Sequence, residues 1–317
     1  MAVGASEINS DGDHQAVLAQ STVDAWLTDH DGIYIDGTFG RGGHSRLLLA
    51  KLSAKGKLLV VDRDPEAIAV ARQLASEFPQ VSVEQCEFAN IAALVTARGW
   101  QGKVSGVLLD LGVSSPQLDR AERGFSFLRD GPLDMRMNPD KGQSAAQWLA
   151  VAEELEIRDV LRHYGEEKFA TRIAKGIIAE RRLRPILTTH HFAEVIDKAM
   201  PVVEKGKHPA TRSFQAVRIF INQELEQIEL FLDGSVELLA TGGRLAVISF
   251  HSLEDRIVKR FIRHQVQGDR LPASVPVKDE ALNKRMKMIV KAAKADKKEL
   301  QENSRARSAI LRVAEKL

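Results

Sequence analysis

The sequence predicts an α/β chain built on a Rossmann-like sheet, and three observations carry that expectation. The runs Ile33-Tyr34-Ile35, Leu58-Leu59-Val60-Val61 and Gly106-Val107-Leu108-Leu109 are almost continuously apolar, as strands buried on both faces are. Stretches with helical spacing of apolar residues separate them. The segment D-G-T-F-G-R-G-G-H, Asp36 to His44, joins a strand pattern to a helical one through glycines, and Asp62 ends the next strand about 20 residues later.

Each element has its own local signal. Gln15 to Trp26 reads as a short helix with Val17, Leu18, Val23 and Trp26 on its apolar side. After the first strand, His44 to Leu52 is helical and Gly56 turns the chain. Asp64-Pro65 opens a helix through Leu74, because proline at the first turn sacrifices no hydrogen bond. Val81-Ser82-Val83 is the third strand, and the fourth ends at Asp110. The segment from there to Met137 is rich in glycine, proline and serine; a loop of that length is functional when it is ordered, and Phe125, Phe127, Leu133, Met135 and Met137 anchor it.

From Ser144 to about Leu232 the signals are helical. Ser144 with Gln147 forms a capping-box pattern, and Phe214, Val217, Ile221, Leu225, Ile228 and Phe231 trace one long amphipathic helix. Leu238 to Arg244 reads as a helix end with a glycine cap, leading into strand Leu245 to Ser249. Helix Leu253 to His264, a charged helix or loop over Ala292 to Asn303, and a closing strand Ser308 to Val313 complete the chain. The expected organisation is a cofactor-binding part over 1–125, an inserted helical substrate domain over 126–232, and the second part of the sheet domain with a basic C-terminal region over 233–317.

The glycine segment narrows the ligand. A dinucleotide site would read G-x-G-x-x-G before a helix N-terminus that faces a pyrophosphate. Here the pattern is D-x-T-x-G-x-G, and an acid at position 36 repels a pyrophosphate but suits the sulfonium of S-adenosylmethionine. Asp36, Gly40, Gly42 and Gly43 therefore point to a methyltransferase cofactor loop, with Asp62 accepting from two ribose hydroxyls; a dehydrogenase that binds NAD is the alternative. Asp110 stands at a strand tip, where open sheets place reactive groups. Cys86, the single cysteine, cannot form an internal disulfide, and its distance in sequence from the acceptor loop disfavours carbon methylation through a cysteine nucleophile. An oxygen or exocyclic amine acceptor remains. Asp110 with Ser114, Ser115 and Pro116 resembles the acid/Ser-Pro loop of amino methyltransferases, and these four are the catalytic candidates.

Composition excludes other classes. With 44% hydrophobic and 28% charged residues among 317, the chain is an ordinary globular protein. No apolar run approaches the roughly 18 residues of a membrane span, and the N-terminus lacks the features of a secretory leader, so a cytoplasmic protein is expected. His190-His191 reads as a polar helix start, and no metal is expected. The net charge of +2 hides an asymmetry: from Arg256 onward, 17 Lys and Arg face 7 Asp and Glu, so that region carries +10 and the remainder −8. A basic tail is either a solvated helix surface or the footprint of a phosphate backbone, for which Arg212, Arg218, Arg256, Lys259 and Arg260 are the candidates.

The motifs D-G-T-F-G-R-G-G-H-S, D-L-G-V-S-S-P-Q-L-D, D-G-P-L-D-M-R-M, H-P-A-T-R-S-F-Q-A-V-R and S-F-H-S-L-E-D-R-I-V-K-R-F, in this order, resemble the bacterial 16S ribosomal RNA cytosine-N4 methyltransferase family. The resemblance covers nearly the whole chain. It implies a class I methyltransferase fold, S-adenosylmethionine as cofactor, and a cytosine amine in the decoding centre of the small ribosomal subunit as acceptor. It also implies cofactor contacts at Gly42, Gly43, His44, Asp62, Phe88, Asp110 and Gln117. The family's N-terminal H-x-x-V-L-L-x-E is only partly kept in the stretch from His14 to Ser21, and Gln265 to Asn303 departs in character. Other readings are a methyltransferase for another RNA or protein acceptor, and a ribosome-assembly factor with a vestigial cofactor site.

Overall fold

The computed structural model describes residues 16–202, 208–269 and 282–317. Strands β1 (Ile33–Asp36), β2 (Lys57–Asp62), β3 (Val81–Gln85), β4 (Val104–Asp110), β5 (Leu239–Ser249), β6 (Met286–Ala293) and β7 (Ile310–Lys316) form one sheet in the order β3-β2-β1-β4-β5-β7-β6. The pairings among β1 to β5 are parallel, and β7 runs antiparallel to both β5 and β6. Strand order reverses between β1 and β4, which opens a crevice at their C-terminal ends.

The apolar runs are continuous because both faces are covered. Tyr34, Leu58 and Val60 pack into one core with Trp26, Leu48, Ala71 and Leu74; their neighbours Ile35, Leu59 and Val61 pack into the other with Ile91, Val95, Phe231 and Val258. Helices α1 (Ala19–Trp26), α2 (Gly43–Leu49) and α3 (Pro65–Glu77) contribute to the first face. Helices α4 (Ile91–Ala97), α11 (Glu224–Leu238) and α12 (Ser252–Gln267) contribute to the second. Asp64 caps α3 by accepting from Glu66 N, as its Asp-Pro start implied. His14 and Gln15, which begin the partly kept signature, lie outside the described residues.

A third core belongs to helices α6 (Ala145–Val151), α7 (Glu154–Gly165), α8 (Ala170–Leu183), α9 (Thr189–Ala199) and α10 (Thr211–Asn222), where Trp148, Leu161, Ile173, Phe192 and Phe214 are buried together. The capping box forms: Ser144 Oγ accepts from Gln147 N at 3.2 Å, and Gln147 Oε1 accepts from Ser144 N at 2.9 Å. Between β4 and α6 lies α5 (Ser115–Asp119), and α13 (Lys297–Glu302) precedes β7.

Three expectations are corrected. The single helix expected across Phe214 to Phe231 is two, α10 and α11, broken at Gln223 with φ 51°. The break follows from Asn222, whose Oδ1 accepts from Met137 N at 2.8 Å and whose Nδ2 donates to Met135 O at 2.7 Å. The glycine cap expected around Gly242 is absent: α11 runs directly into β5, and Gly242, at φ 81°, sits in an irregularity where β5 shifts register against β4. Of the segment taken as charged helix or loop, only Ala292 and Ala293 belong to a strand, the end of the edge strand β6, while α13 supplies the charged helix.

Candidate functional site

The glycine loop is held open by its own backbone. Gly37 N donates to Leu108 O at 2.9 Å and Phe39 N to Val61 O at 3.1 Å, so the chain turns across the ends of β4 and β2. Gly42 then caps α2 at φ 77°, and a Cβ there would lie 2.6 Å from the Phe39 ring. Gly40 N donates to Asp62 Oδ2 at 2.8 Å, and Asp64 N to Asp62 Oδ1 at 2.9 Å. Both Asp62 oxygens are thereby fixed, each with a lone pair left for a hydroxyl. Asp36 accepts from Ser45 Oγ at 2.6 Å and from Thr38 N at 3.2 Å. Burial pushes the carboxyls of Asp36 and Asp62 up to about 6.

Beyond the loop lies a cavity of about 960 Å³, reached by the tips of β1, β2 and β4 and by the turn after β5. Asp110 stands in it. Its backbone N donates to Thr38 Oγ1 at 2.6 Å, while its Oδ1 is buried without a hydrogen bond. Burial, then the charges of Asp36 and Glu254, push the Asp110 carboxyl well above the usual carboxylate range. His44 is buried with Nε2 3.0 Å from Val17 O and Nδ1 3.6 Å from Asp110 Oδ2. Burial lowers its pKa to about 4, so the ring is neutral; the carbonyl fixes the proton on Nε2 and leaves Nδ1 as an acceptor.

The acceptor loop is braced from several sides. Ser114 and Gln117 form a capping box at α5; Gln117 is buried, accepting from Ser114 N at 2.9 Å and donating to Asp64 Oδ2 at 2.7 Å. Asp64 also takes both Arg123 Nη atoms at 3.0 Å in a buried ion pair. Ser114 and Ser115 line the cavity, and Pro116 sits in the first turn of α5. Ser115 Oγ accepts from Arg305, which also holds Asp119 Oδ1 at 2.8 Å. Phe88 lines the cavity edge-on to Phe231, with ring centroids 6.1 Å apart. Cys86 lies in the wall too, closer to the acceptor loop than its place in the sequence implied, with its thiol pushed up to about 11 by burial and by Glu87 and Glu84, which disfavours a thiolate.

Of the residues expected from Asp36 to Gln117, Gly40, Gly43, His44, Asp62, Phe88, Asp110, Ser114, Ser115 and Gln117 line this one cavity, whereas Asp36, Gly42 and Pro116 are not part of its lining. The basic residues are not gathered in this way. Arg218, expected on phosphates, instead lines the cavity and holds Glu224 through two hydrogen bonds of 2.8 Å. Arg256, Lys259 and Arg260 are exposed on α12, with Arg256 3.0 Å from Glu166; Arg212 is half-buried on α10. Much of the basic tail is neutralised internally: Arg312 pairs with Asp255, and Arg244 and Lys287 with Glu315.

Sequence reasoning missed a second cluster on the cavity wall. Glu254, fully buried, accepts through Oε2 from Phe250 N at 2.8 Å and His251 N at 3.2 Å, and its Oε1 lies 3.1 Å from His251 Nε2. Glu224, His251 and Glu254 bring their ligand atoms within 4.8 Å of one another, a spacing a metal could use. Arg218 already occupies both Glu224 oxygens, so a guanidinium neutralises that corner. The capping pattern of His251 with Glu254 was the one local signal for this cluster.

A crevice at the switch point of this sheet, with carboxylates at the tips of β1 and β2, defines a methyltransferase of the Rossmann-like class. The model of the MraW methylase family matches residues 11–317. A protein of Pseudoalteromonas atlantica named ribosomal RNA small subunit methyltransferase H is 54% identical over 306 residues, covering 96% of this chain and 98% of that protein. A protein of the same name from Chromohalobacter salexigens is 55% identical over 305 residues, covering 96% and 92%. The chain belongs to the MraW methylase family, whose methyl donor is S-adenosylmethionine.

Proposed function

We propose that this enzyme methylates the exocyclic N4 amine of a cytosine in the decoding centre of 16S ribosomal RNA, within the small ribosomal subunit. The observation that carries the reading is the unpartnered, buried Asp110 Oδ1 beside the cofactor loop, an acceptor waiting for an N–H. The names of the relatives supply the RNA. When bound, S-adenosylmethionine supplies an electrophilic methyl group. Asp62 would hold its ribose, Gly42 and Gly43 its close backbone approach, Phe88 its adenine face, and Asp36 the charge of its sulfonium. His44 and Gln117 would complete that wall.

The chain's own residues do the rest by position. Asp110, its carboxyl pushed well above the usual carboxylate range first by burial, orients the amine through Oδ1, and Ser114, Ser115 and Pro116 bound the acceptor side. A thiol with its proton held to about 11 disfavours a cysteine-linked route and supports direct transfer. The target base leaves its stack to reach the crevice. Helices α6 to α10 form the substrate-recognition region, and Arg256, Lys259 and Arg260, with Arg212, grip RNA phosphates. Among the described residues no helix is long and apolar enough to cross a membrane.

Purified protein, labelled S-adenosylmethionine and unmethylated small subunits test the reading. Label mapped to N4 of one cytosine is the expected result; label on another atom or on protein overturns it.

A further inference from the structure

Helix α5 has five residues, Ser115 to Asp119, too few to be stable by itself. Buried Gln117 ties it to Asp64, and Arg120 at its C-cap donates to Glu66 Oε2 at 2.7 Å. A further tie comes from far along the chain. Ser115 and Asp119, four residues apart, share one face of the helix, and Arg305 grips both. Its Nη1 donates to Ser115 Oγ, and its Nη2 donates to Asp119 Oδ1 at 2.8 Å and Oδ2 at 3.0 Å. We propose that Arg305 is a positioning residue for methyl transfer: it sets α5, and with it the loop Ser114-Ser115-Pro116, against the cofactor loop. The inference rests on the amine-methylation reading above.

The guanidinium is mounted on a segment that is itself part of the cavity wall. After α13 the chain makes a short 3-10 turn, Ser304–Ser308, and Glu302, Asn303, Arg305 and Ser308 line the cavity. Asn303 Oδ1 accepts from Arg305 N at 3.1 Å and fixes the start of the turn. The segment is anchored before and after Arg305. Glu299 Oε1 accepts from Leu18 N at 2.6 Å, next to Val17, whose carbonyl holds His44. Ala306 and Ala309 are buried in the core that contains Val17, Leu18 and Trp26. Arg305 therefore joins the acceptor loop to the same wall that supports the cofactor loop.

Folding stability is a poor explanation of this grip. The side chains of Arg305 and Asp119 are 34% and 47% exposed, and an ion pair so open to water contributes little to stability. Position explains it better. The planar fork of an arginine holds two groups in fixed geometry, where the point charge of a lysine does not. Methyl transfer depends on the alignment of acceptor, methyl carbon and sulfur, so a small shift of the acceptor loop is costly in rate. Arg305 acts on that alignment through Ser115 and Asp119 rather than on the reacting atoms.

Single-turnover methylation of small subunits, with S-adenosylmethionine and subunits saturating, tests the assignment in Arg305→Gln, Arg305→Lys and Asp119→Asn. The Gln variant is expected to transfer the methyl group about 10- to 100-fold more slowly, and the Lys variant to fall between it and the wild type. Asp119→Asn should slow transfer too, and combining it with Arg305→Gln should slow it no further than Arg305→Gln alone. S-adenosylhomocysteine affinity by calorimetry, subunit affinity and its salt slope, and the thermal midpoint should stay near the wild type. An unchanged rate overturns the inference. So does a slowing matched by a fall in cofactor affinity or thermal midpoint, which would make the grip structural. Weaker subunit binding with a reduced salt slope and an unchanged rate would put Arg305 on an RNA phosphate and overturn it as well. Each of these results leaves the amine reading standing, whereas a wild type that leaves the cytosine amine unmethylated overturns that reading and this inference together.

Discussion

His44 Nδ1 faces Asp110 Oδ2 across 3.6 Å, and burial drives the two groups in opposite directions: it lowers the imidazole to about 4 and pushes the carboxyl well above the usual carboxylate range. The histidine in this contact is a neutral imidazole.

His44 makes the fold acid-sensitive in a defined window. Its folded value is about 4 against 6.5 ordinarily, so as pH falls the unfolded chain takes the proton first. The contribution is complete above pH 6.5 and is lost toward pH 4, up to about 3 kcal/mol. Urea unfolding of His44→Gln should show a shallower loss of stability between pH 7 and 4.5 than the wild type. Equal slopes would remove His44 as a cause.

Asp36 ionises at about 6, and its charge favours a cationic sulfonium over a neutral thioether. The preference for S-adenosylmethionine over S-adenosylhomocysteine should therefore grow as pH rises through 6, by about 3- to 10-fold. Asp36→Asn should make that ratio independent of pH. Calorimetry of both ligands at pH 5 and 7.5 decides.

The Arg123–Asp64 pair pins the acceptor loop, since Arg123 Nη2 also donates to Met137 O at 2.9 Å. Removing the guanidinium strands a buried carboxylate, so Arg123→Ala should lose roughly 3–5 kcal/mol of stability. The double variant with Asp64→Ala should recover part of that loss. Strictly additive losses would mean the pair is not coupled.

Gln223 adopts φ 51°, a conformation that taxes any side chain with a Cβ. Gln223→Gly should stabilise the protein by about 1 kcal/mol at unchanged activity, whereas Asn222→Ala should destabilise it by about 2 kcal/mol or more through two lost buried hydrogen bonds. Thermal and urea unfolding read both.

Replacing Arg256, Lys259 and Arg260 together with Gln should lower the slope of log affinity for RNA against log salt by about 2 to 3. Cofactor affinity should not change, because these side chains point outward from α12. An unaltered salt slope would move the phosphate contacts elsewhere.

The strands and the cofactor loop were legible because their causes are local. Alternation of Leu58, Leu59, Val60 and Val61 between two cores writes itself as a continuous apolar run, and Asp36, Gly42 and Asp62 keep their spacing whatever surrounds them. The break at Gln223 was not legible, because the apolar spacing runs unbroken through it while Asn222 is tied to Met135 and Met137, distant in sequence. Strand β6 was hidden for another reason: on an edge, its Lys287, Met288, Lys291 and Ala292 are exposed in pairs rather than in alternation, and it resembles a solvated segment. The wall of Arg218, Glu224 and Glu254 escaped for the same cause as the helix break, since α10, α11 and α12 meet there only in three dimensions.

The kink at Gln223 sets Arg218 in the last turns of a helix of the all-helical core and Glu224 at the start of one packed on the sheet, and the two meet in the cavity wall. A ligand whose binding differs between two arrangements of that joint would by reciprocity be coupled to any other ligand that does the same.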